Sequence, residues 1–221
     1  MAETRGSRGV LWDLDGTLID SAGLHFRAWR ETLLAHGREH TPEDFAHYFG
    51  KRNDHILRSI FGATLSDEES LRIADAKEER FRGLVRDHGL EAVPGALPWL
   101  ARLHEAGLLQ ALASSAPRRN ITVSIEALGF DRYLDAVVSA EEVDEGKPDP
   151  AIFLAAARRL GVAPERCVVV EDSPAGLEGA RRAGMGSVGI LSDHYPSLDA
   201  DLVIPSLSAL PLDAFDELLG E

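Results

Sequence analysis

A single cysteine, Cys167, stands among 221 residues, which rules out an internal disulfide and predicts a protein of the reducing cytoplasm. It opens an apolar run and reads as a small core residue rather than a nucleophile. No stretch approaches the ~18 continuous apolar residues of a membrane helix. Residues 1–9 carry no apolar signal core, so neither membrane association nor secretion is expected. Basic residues are scarce as well: 23 Lys and Arg stand against 37 Asp and Glu, a net charge of −14. A nucleic-acid-binding surface is basic, so that class of partner is excluded, and the acidity is read as serving solubility. Repeats and low-complexity tracts are missing, and nothing in the sequence demands an oligomer, so a monomer is expected.

What the chain does contain divides into two kinds of pattern. Residues 20–92 are charged and helix-patterned with few strand signals, with apolar residues at helical spacing over 21–37, 41–50, 53–61 and 66–88. Thr41-Pro42-Glu43-Asp44 and Ser66-Asp67-Glu68-Glu69 have the form of helix starts, a capping residue followed by acids. After Pro94 helix and strand alternate: helices over 96–105, 117–128, 150–160 and 174–183, strands over 108–113, 136–138, 167–170, 187–191 and 201–204. Repeated β–α units predict an α/β fold with a doubly wound, Rossmann-like parallel sheet covered by helices on both faces. The expected organisation is a core of residues 1–19 and 93–221, with 20–92 inserted as a helical domain between the first two core strands. An insertion over strand ends is placed to act as a lid.

Chemistry concentrates where apolar runs stop. Val10-Leu11-Trp12 climbs into Asp13-Leu14-Asp15-Gly16, which reads as a buried strand ending in two carboxylates, with a glycine where the backbone turns away. Open α/β sheets place their ligands at that end of their strands. Two carboxylates so close are able to share a cation and divide the roles of nucleophile and proton donor. Ala111-Leu112-Ala113 ends in Ser114 and Ser115, Gly146-Lys147-Pro148-Asp149-Pro150 holds one lysine in a proline-stiffened loop, and Val168-Val169-Val170 ends in Glu171, Asp172 and Ser173.

In that order, these four segments resemble the four signature motifs of the haloacid dehalogenase-like phosphotransferase superfamily, and the resemblance covers nearly the whole chain. The resemblance implies Asp13 as the nucleophile that forms an aspartyl-phosphate. It implies Asp15 as the acid that protonates the leaving oxygen and the base that later activates water. It further implies Mg²⁺ at Asp13, the Asp15 backbone carbonyl and Asp172, with Glu171 touching the metal directly or through water. For Glu171, helix capping ahead of Ser173-Pro174 is the other open role. Ser114 and Lys147 match the phosphate-binding hydroxyl and ammonium, with Ser115 beside them in the substrate site.

A helical insert of this size resembles the C1 cap of the β-phosphoglucomutase-like branch. His25-Phe26-Arg27-Ala28-Trp29 is similar to the start of that cap, where the matching histidine assists closure and proton transfer, and Lys77 falls where a cap lysine meets substrate. Two departures weaken a mutase. Where the mutase has an arginine for a distal phosphate, this chain has Asn53 with Arg52 adjacent; where it has a second phosphate-contacting serine, this chain has Ala116, with Arg118 close enough to compensate. The expectation is therefore a phosphatase of a small phosphorylated metabolite, a sugar phosphate in the first place, ahead of a β-phosphoglucomutase. A receiver-type signalling domain is shorter and leaves the helical insert without a role.

Overall fold

The computed structural model describes residues 8–48 and 51–220. Its centre is a six-stranded, all-parallel sheet in the order β5-β4-β1-β6-β7-β8. The strands are β1 (Gly9–Trp12), β4 (Leu109–Ala113), β5 (Ala136–Val138), β6 (Cys167–Glu171), β7 (Gly186–Ile190) and β8 (Leu202–Ile204). β1 and β6 are buried along their whole length, which is why they read as unbroken apolar runs rather than alternating ones. Cys167 opens β6 as a buried residue, and burial pushes its thiol up to about 12, so it is an inert part of the packing.

Helices α5 (Ala96–Glu105), α6 (Arg118–Leu128), α7 (Ala151–Leu160), α8 (Pro174–Ala183) and α9 (Ala214–Leu219) accompany the sheet. Two apolar layers result. One packs Trp12, Trp99, Leu100, Ile121 and Phe215 together, and the other gathers Leu11, Phe153, Ala156, Val169 and Ala180. Alternate residues of β1 and β6 thus feed opposite faces, as a doubly wound sheet requires. α9, which the sequence pattern did not predict, closes the first layer through Phe215, edge-on to Trp12 and Trp99.

The strand order reverses at β1: the chain moves through β4 to β5 on one side, then through β6 and β7 to β8 on the other. Trp12 lies opposite both Leu112 and Val170, so β1, β4 and β6 end at one level. Asp13, Ser114, Glu171 and Asp172 are brought together by that register alone.

Between β1 and β4 the chain forms α1 (Ala22–Ala35), α2 (Pro42–Tyr48), α3 (Asn53–Phe61) and α4 (Asp67–His88). The expected helix over 41–50 is α2, and its last two residues fall outside those described. Ser66 caps α4 by accepting from the Glu69 amide, as the Ser-Asp-Glu-Glu pattern predicts. Trp29, Leu33, Phe45, Ile56, Leu57 and Ile73 form an apolar cluster of this block's own. The two crossings between sheet and block pair as a short antiparallel ribbon, β2 (Ile19–Asp20) with β3 (Glu91–Ala92). No described helix is long and apolar enough to cross a membrane.

Candidate active site

The carboxyl ends of β4, β1 and β6 open into a cleft of about 420 Å³, walled on the far side by α1, α3 and α4. That size falls within the ~300–1,000 Å³ of small-molecule sites. Asp13 leaves β1 with its amide donating to the Val170 carbonyl at 3.0 Å, which aims it along the sheet axis. Gly16 then turns with φ of +87°, and a Cβ there would collide with the Asp172 carboxylate, so glycine is required on both counts.

Lys147 is the cation of this end. Its ammonium donates to Asp13 Oδ1 at 2.5 Å and to Glu171 Oε1 at 2.7 Å, and stands 5.0 Å from the Phe153 ring centre. The Lys147–Pro148 peptide is cis. Burial opposes the charge on Lys147, but Asp13 and Glu171 outweigh it and hold the proton above the ordinary lysine range.

One oxygen each of Asp13, Glu171 and Asp172 lies within 4.8 Å of the other two. Burial, with the neighbouring Glu171 and Asp15 charges, pushes Asp13 up to about 7 against the pull of Lys147. Asp172 is raised well above its usual range by burial, then by Glu171 and Asp13. Tyr195, which also lines the cleft, is raised by burial and by Asp172 and Glu171. Clustered hard oxygens whose protons are held by burial and by mutual repulsion fit a divalent cation such as Mg²⁺, which would relieve that repulsion.

Glu171 serves two structural partners as well. Its Oε2 accepts from the Ser173 amide and hydroxyl, both at 2.8 Å, while the Ser173 hydroxyl accepts from the Gly176 amide at 3.1 Å and so caps α8. A Cβ on Gly176 would overlap the Glu171 carboxylate, so the first turn of α8 is shaped around it. Ser173 rather than Glu171 is thus the cap of α8, and Glu171 holds that cap in place while standing beside the other acids.

Asp15 is differently placed. Its side chain turns to the helical block, accepting at Oδ1 from the Ser21 hydroxyl at 2.5 Å and lying 3.1 Å from His25 Nε2. Burial raises its pKa, but His25, the Ser21 hydroxyl and Lys77 outweigh burial and hold the carboxyl below the usual range. Lys77 Nζ is 2.9 Å from His25 Nδ1 and donates to Glu78 Oε1 at 2.9 Å. An ammonium only donates, so His25 Nδ1 is the acceptor and the ring proton sits on Nε2, toward Asp15. Phe81 stacks on the His25 ring at 3.9 Å.

Asp13, Asp15, Ser114, Ser115, Lys147, Glu171, Asp172, His25, Lys77 and Arg52 therefore line one cleft. Arg118 is the exception and corrects the expectation. Its guanidinium donates to the Val137 carbonyl at 2.9 Å on the outer side of β5, while its amide donates to Glu141. The Val137 carbonyl of this edge strand, which also accepts from Arg159 Nη1 at 2.6 Å, draws it away from the cleft. Sequence reasoning missed Ser21, Glu78, Asn120 and Tyr195, and gave Asn53 only as a departure from the mutase pattern. Ser21 and Glu78 adjoin elements already singled out, but nothing local marks Asn120, whose partners are 38 and 42 residues away.

A model of the haloacid dehalogenase-like hydrolases matches residues 8–184. Phosphorylated carbohydrates phosphatase of Thermotoga maritima is 32% identical over 203 residues, covering 88% of this chain and 91% of that protein. Beta-phosphoglucomutase of Bacillus subtilis is 32% identical over 221 residues, covering 95% and 94%. The crystal structure of CbbY from Rhodobacter sphaeroides in complex with phosphate superposes with a TM-score of 0.86 at 27% identity, over 95% of this chain and 99% of that one. The matched span takes in all four segments at the strand ends and the helical block between them: the chain belongs to the haloacid dehalogenase-like hydrolases, as an enzyme of their sugar-phosphatase and β-phosphoglucomutase-like branch.

Proposed function

We propose that this protein is a Mg²⁺-dependent phosphatase that hydrolyses a small sugar phosphate through an aspartyl-phosphate on Asp13, with α1–α4 as a mobile cap over the site. The observation that carries the reading is Asp13 itself, buried at the end of β1, with Lys147 at 2.5 Å and two further acids grouped around it. Asp13, Asp172 and Glu171 would hold Mg²⁺, and the bound ion would neutralise charge on the phosphoryl oxygens.

The chain's own residues divide the remaining work. The Asp13 carboxylate attacks phosphorus, the bond from phosphorus to the sugar oxygen breaks, and Asp15, which takes up a proton as the phosphate anion arrives beside it, gives that proton to the oxygen. Water then attacks the acyl phosphate, Asp15 takes the water proton, and phosphate leaves with Asp13 restored. His25 and Ser21 orient Asp15 for both steps. Lys147 ties Asp13 to Glu171 and stands ready to share its ammonium with a phosphoryl oxygen. Ser114 and Ser115 offer hydroxyls from the end of β4.

A sugar body is supported by the far wall, where Trp29 and Tyr48 offer apolar faces beside the hydrogen-bonding Asn53, Lys77 and Glu78. Relatives named for phosphorylated carbohydrates, fructose 1-phosphate and hexitol phosphates point the same way. The test is phosphate release with Mg²⁺ across sugar and sugar-alcohol monophosphates, with β-glucose 1-phosphate followed in parallel for glucose 6-phosphate. Release from one monophosphate is expected. Glucose 6-phosphate without free phosphate would overturn hydrolysis in favour of the mutase, and no turnover of any ester would overturn both.

A further inference from the structure

Asn120 lies in the first turn of α6, 1% exposed, and the chemistry above gives it no task. Its Oδ1 accepts from Arg82 Nη1 at 2.8 Å, and its Nδ2 donates to Glu78 Oε2 at 2.5 Å. Glu78 and Arg82 are four residues apart on α4, so one face of that helix grips one amide of the sheet domain. The other Glu78 oxygen accepts from Asn53 Nδ2 at 2.6 Å and from Lys77, both lining the cleft. Arg82 also donates to Glu79 at 2.7 Å, which fixes the guanidinium from behind.

The direction of each bond is forced. Arginine only donates, so Asn120 must turn its oxygen to Arg82 and its NH₂ to position 78, where a carboxylate is the fitting acceptor. A buried amide held this way has one orientation. Asn120 follows Ser114 and Ser115 by a few residues, so a single segment of the core meets both the phosphate end of the cleft and the helical block.

We propose that Asn120 is a positioning residue that registers the closed cap on the core. By fixing Glu78 it sets where Lys77 and Asn53 meet the leaving group. This rests on the reading of α1–α4 as a mobile cap over a phosphatase site, and the test separates the two.

Asn120→Asp sets one carboxylate against another, and Glu78→Gln sets one NH₂ against another. The double variant reverses the bond: the introduced carboxylate accepts from both Arg82 and the introduced amide, whose oxygen still serves Lys77 and Asn53. Hydrogen–deuterium exchange of α4, with Mg²⁺ and beryllium fluoride added, should quicken by about tenfold or more in each single variant. The double should return to within about twofold of the native rate. With fructose 1-phosphate as probe, the single variants should raise KM more than they lower kcat, and the double should reverse the change. Single variants too unstable to purify beside a native-like double would be the same rescue. Native exchange in the single variants, or a double as damaged as they are, would overturn the proposal. The exchange readout holds even if no sugar phosphate is turned over, so failure of the phosphatase reading is seen separately.

Discussion

The two ends of the cleft handle charge in opposite ways. At the sheet end Asp13, Glu171 and Asp172 crowd around Lys147, and two of the three acids are pushed up toward their protonated forms. At the helical end Lys77 and Glu78 stand one to one with Asn53 and Asn120 taking up the remaining bonds. Burial opposes the Glu78 charge, yet Lys77, His25 and the Asn53 amide hold its carboxyl below the usual range. One end is incomplete until positive charge and a phosphate arrive. The other is complete in itself and, on the proposed reading, would meet the part of a substrate that carries no charge.

The largest way to break this comparison is Asp13→Asn. Turnover should fall by about 10⁴-fold or more, as for other single nucleophile losses. The same change removes one of the repelling acids, so the metal-free protein should melt no lower than native. Substantial residual turnover in a folded variant would remove Asp13 from the nucleophile's place.

Next comes pH. Asp13 is raised from 3.8 to about 7 and Asp172 is shifted the same way, so both bind protons more tightly in the folded chain than in the unfolded one. Their contribution is full below about pH 4 and is lost as pH rises through about 7. Asp15 and Glu78, held low, act in the opposite sense, but their gain is complete by about pH 5. Between about pH 5 and 8 the metal-free protein should therefore lose stability, on the order of 3 kcal/mol from Asp13, the remainder of its contribution being lost between about pH 4 and 5. Thermal unfolding in EDTA across that range checks the sign, and Mg²⁺ should flatten the slope. A midpoint that rises with pH in EDTA would mean the sheet end is not strained by its own charge. Asp13→Asn should remove much of the slope as well.

A smaller effect is expected at the metal. Asp172→Asn should raise the Mg²⁺ concentration for half-maximal turnover by at least about 10–100-fold, the range seen even for residues behind a ligand. An unchanged titration would take Asp172 out of the metal site.

How far each end could be read from sequence follows the same division. The sheet end is written in short, continuous signals, since β1, β4 and β6 are apolar runs, Asp13, Ser114 and Asp172 each stand immediately after one, and Lys147 is marked by its proline-stiffened loop. Parallel register then places Asp13, Ser114 and Asp172 side by side without further instruction. The helical end is assembled from α1, α3, α4 and α6, and the bonds between these helices join residues 25 to 52 positions apart. Helical periodicity predicts α4 but not which of its faces meets Asn120. The β2–β3 ribbon has two residues per strand, too few for any alternation to register, and α9 is a six-residue helix defined by where Phe215 packs. Arg118 was misplaced because a guanidinium near a phosphate motif suggests an anion contact, whereas the nearer attraction is the Val137 carbonyl.

The smallest predicted effect falls where the two ends meet. Arg52 was expected to take a distal phosphate in place of the missing arginine. Its side chain is 32% exposed, with Nε 3.4 Å from Asp54 Oδ1, and Nη1 donates to the Asp144 carbonyl at 3.3 Å. It also packs on Gly146, where a Cβ would crowd its methylenes, one residue before Lys147. Arg52 is therefore occupied in joining the start of α3 to the Lys147 loop. A half-exposed pair of this kind is worth little, so Arg52→Ala should raise KM by about two- to fivefold. The factor should be the same for a sugar monophosphate and its bisphosphate, because no free cation is being removed from the far wall. A loss confined to the bisphosphate would show Arg52 serving a second phosphate, and the helical end would then be a charged receptor rather than a balanced one.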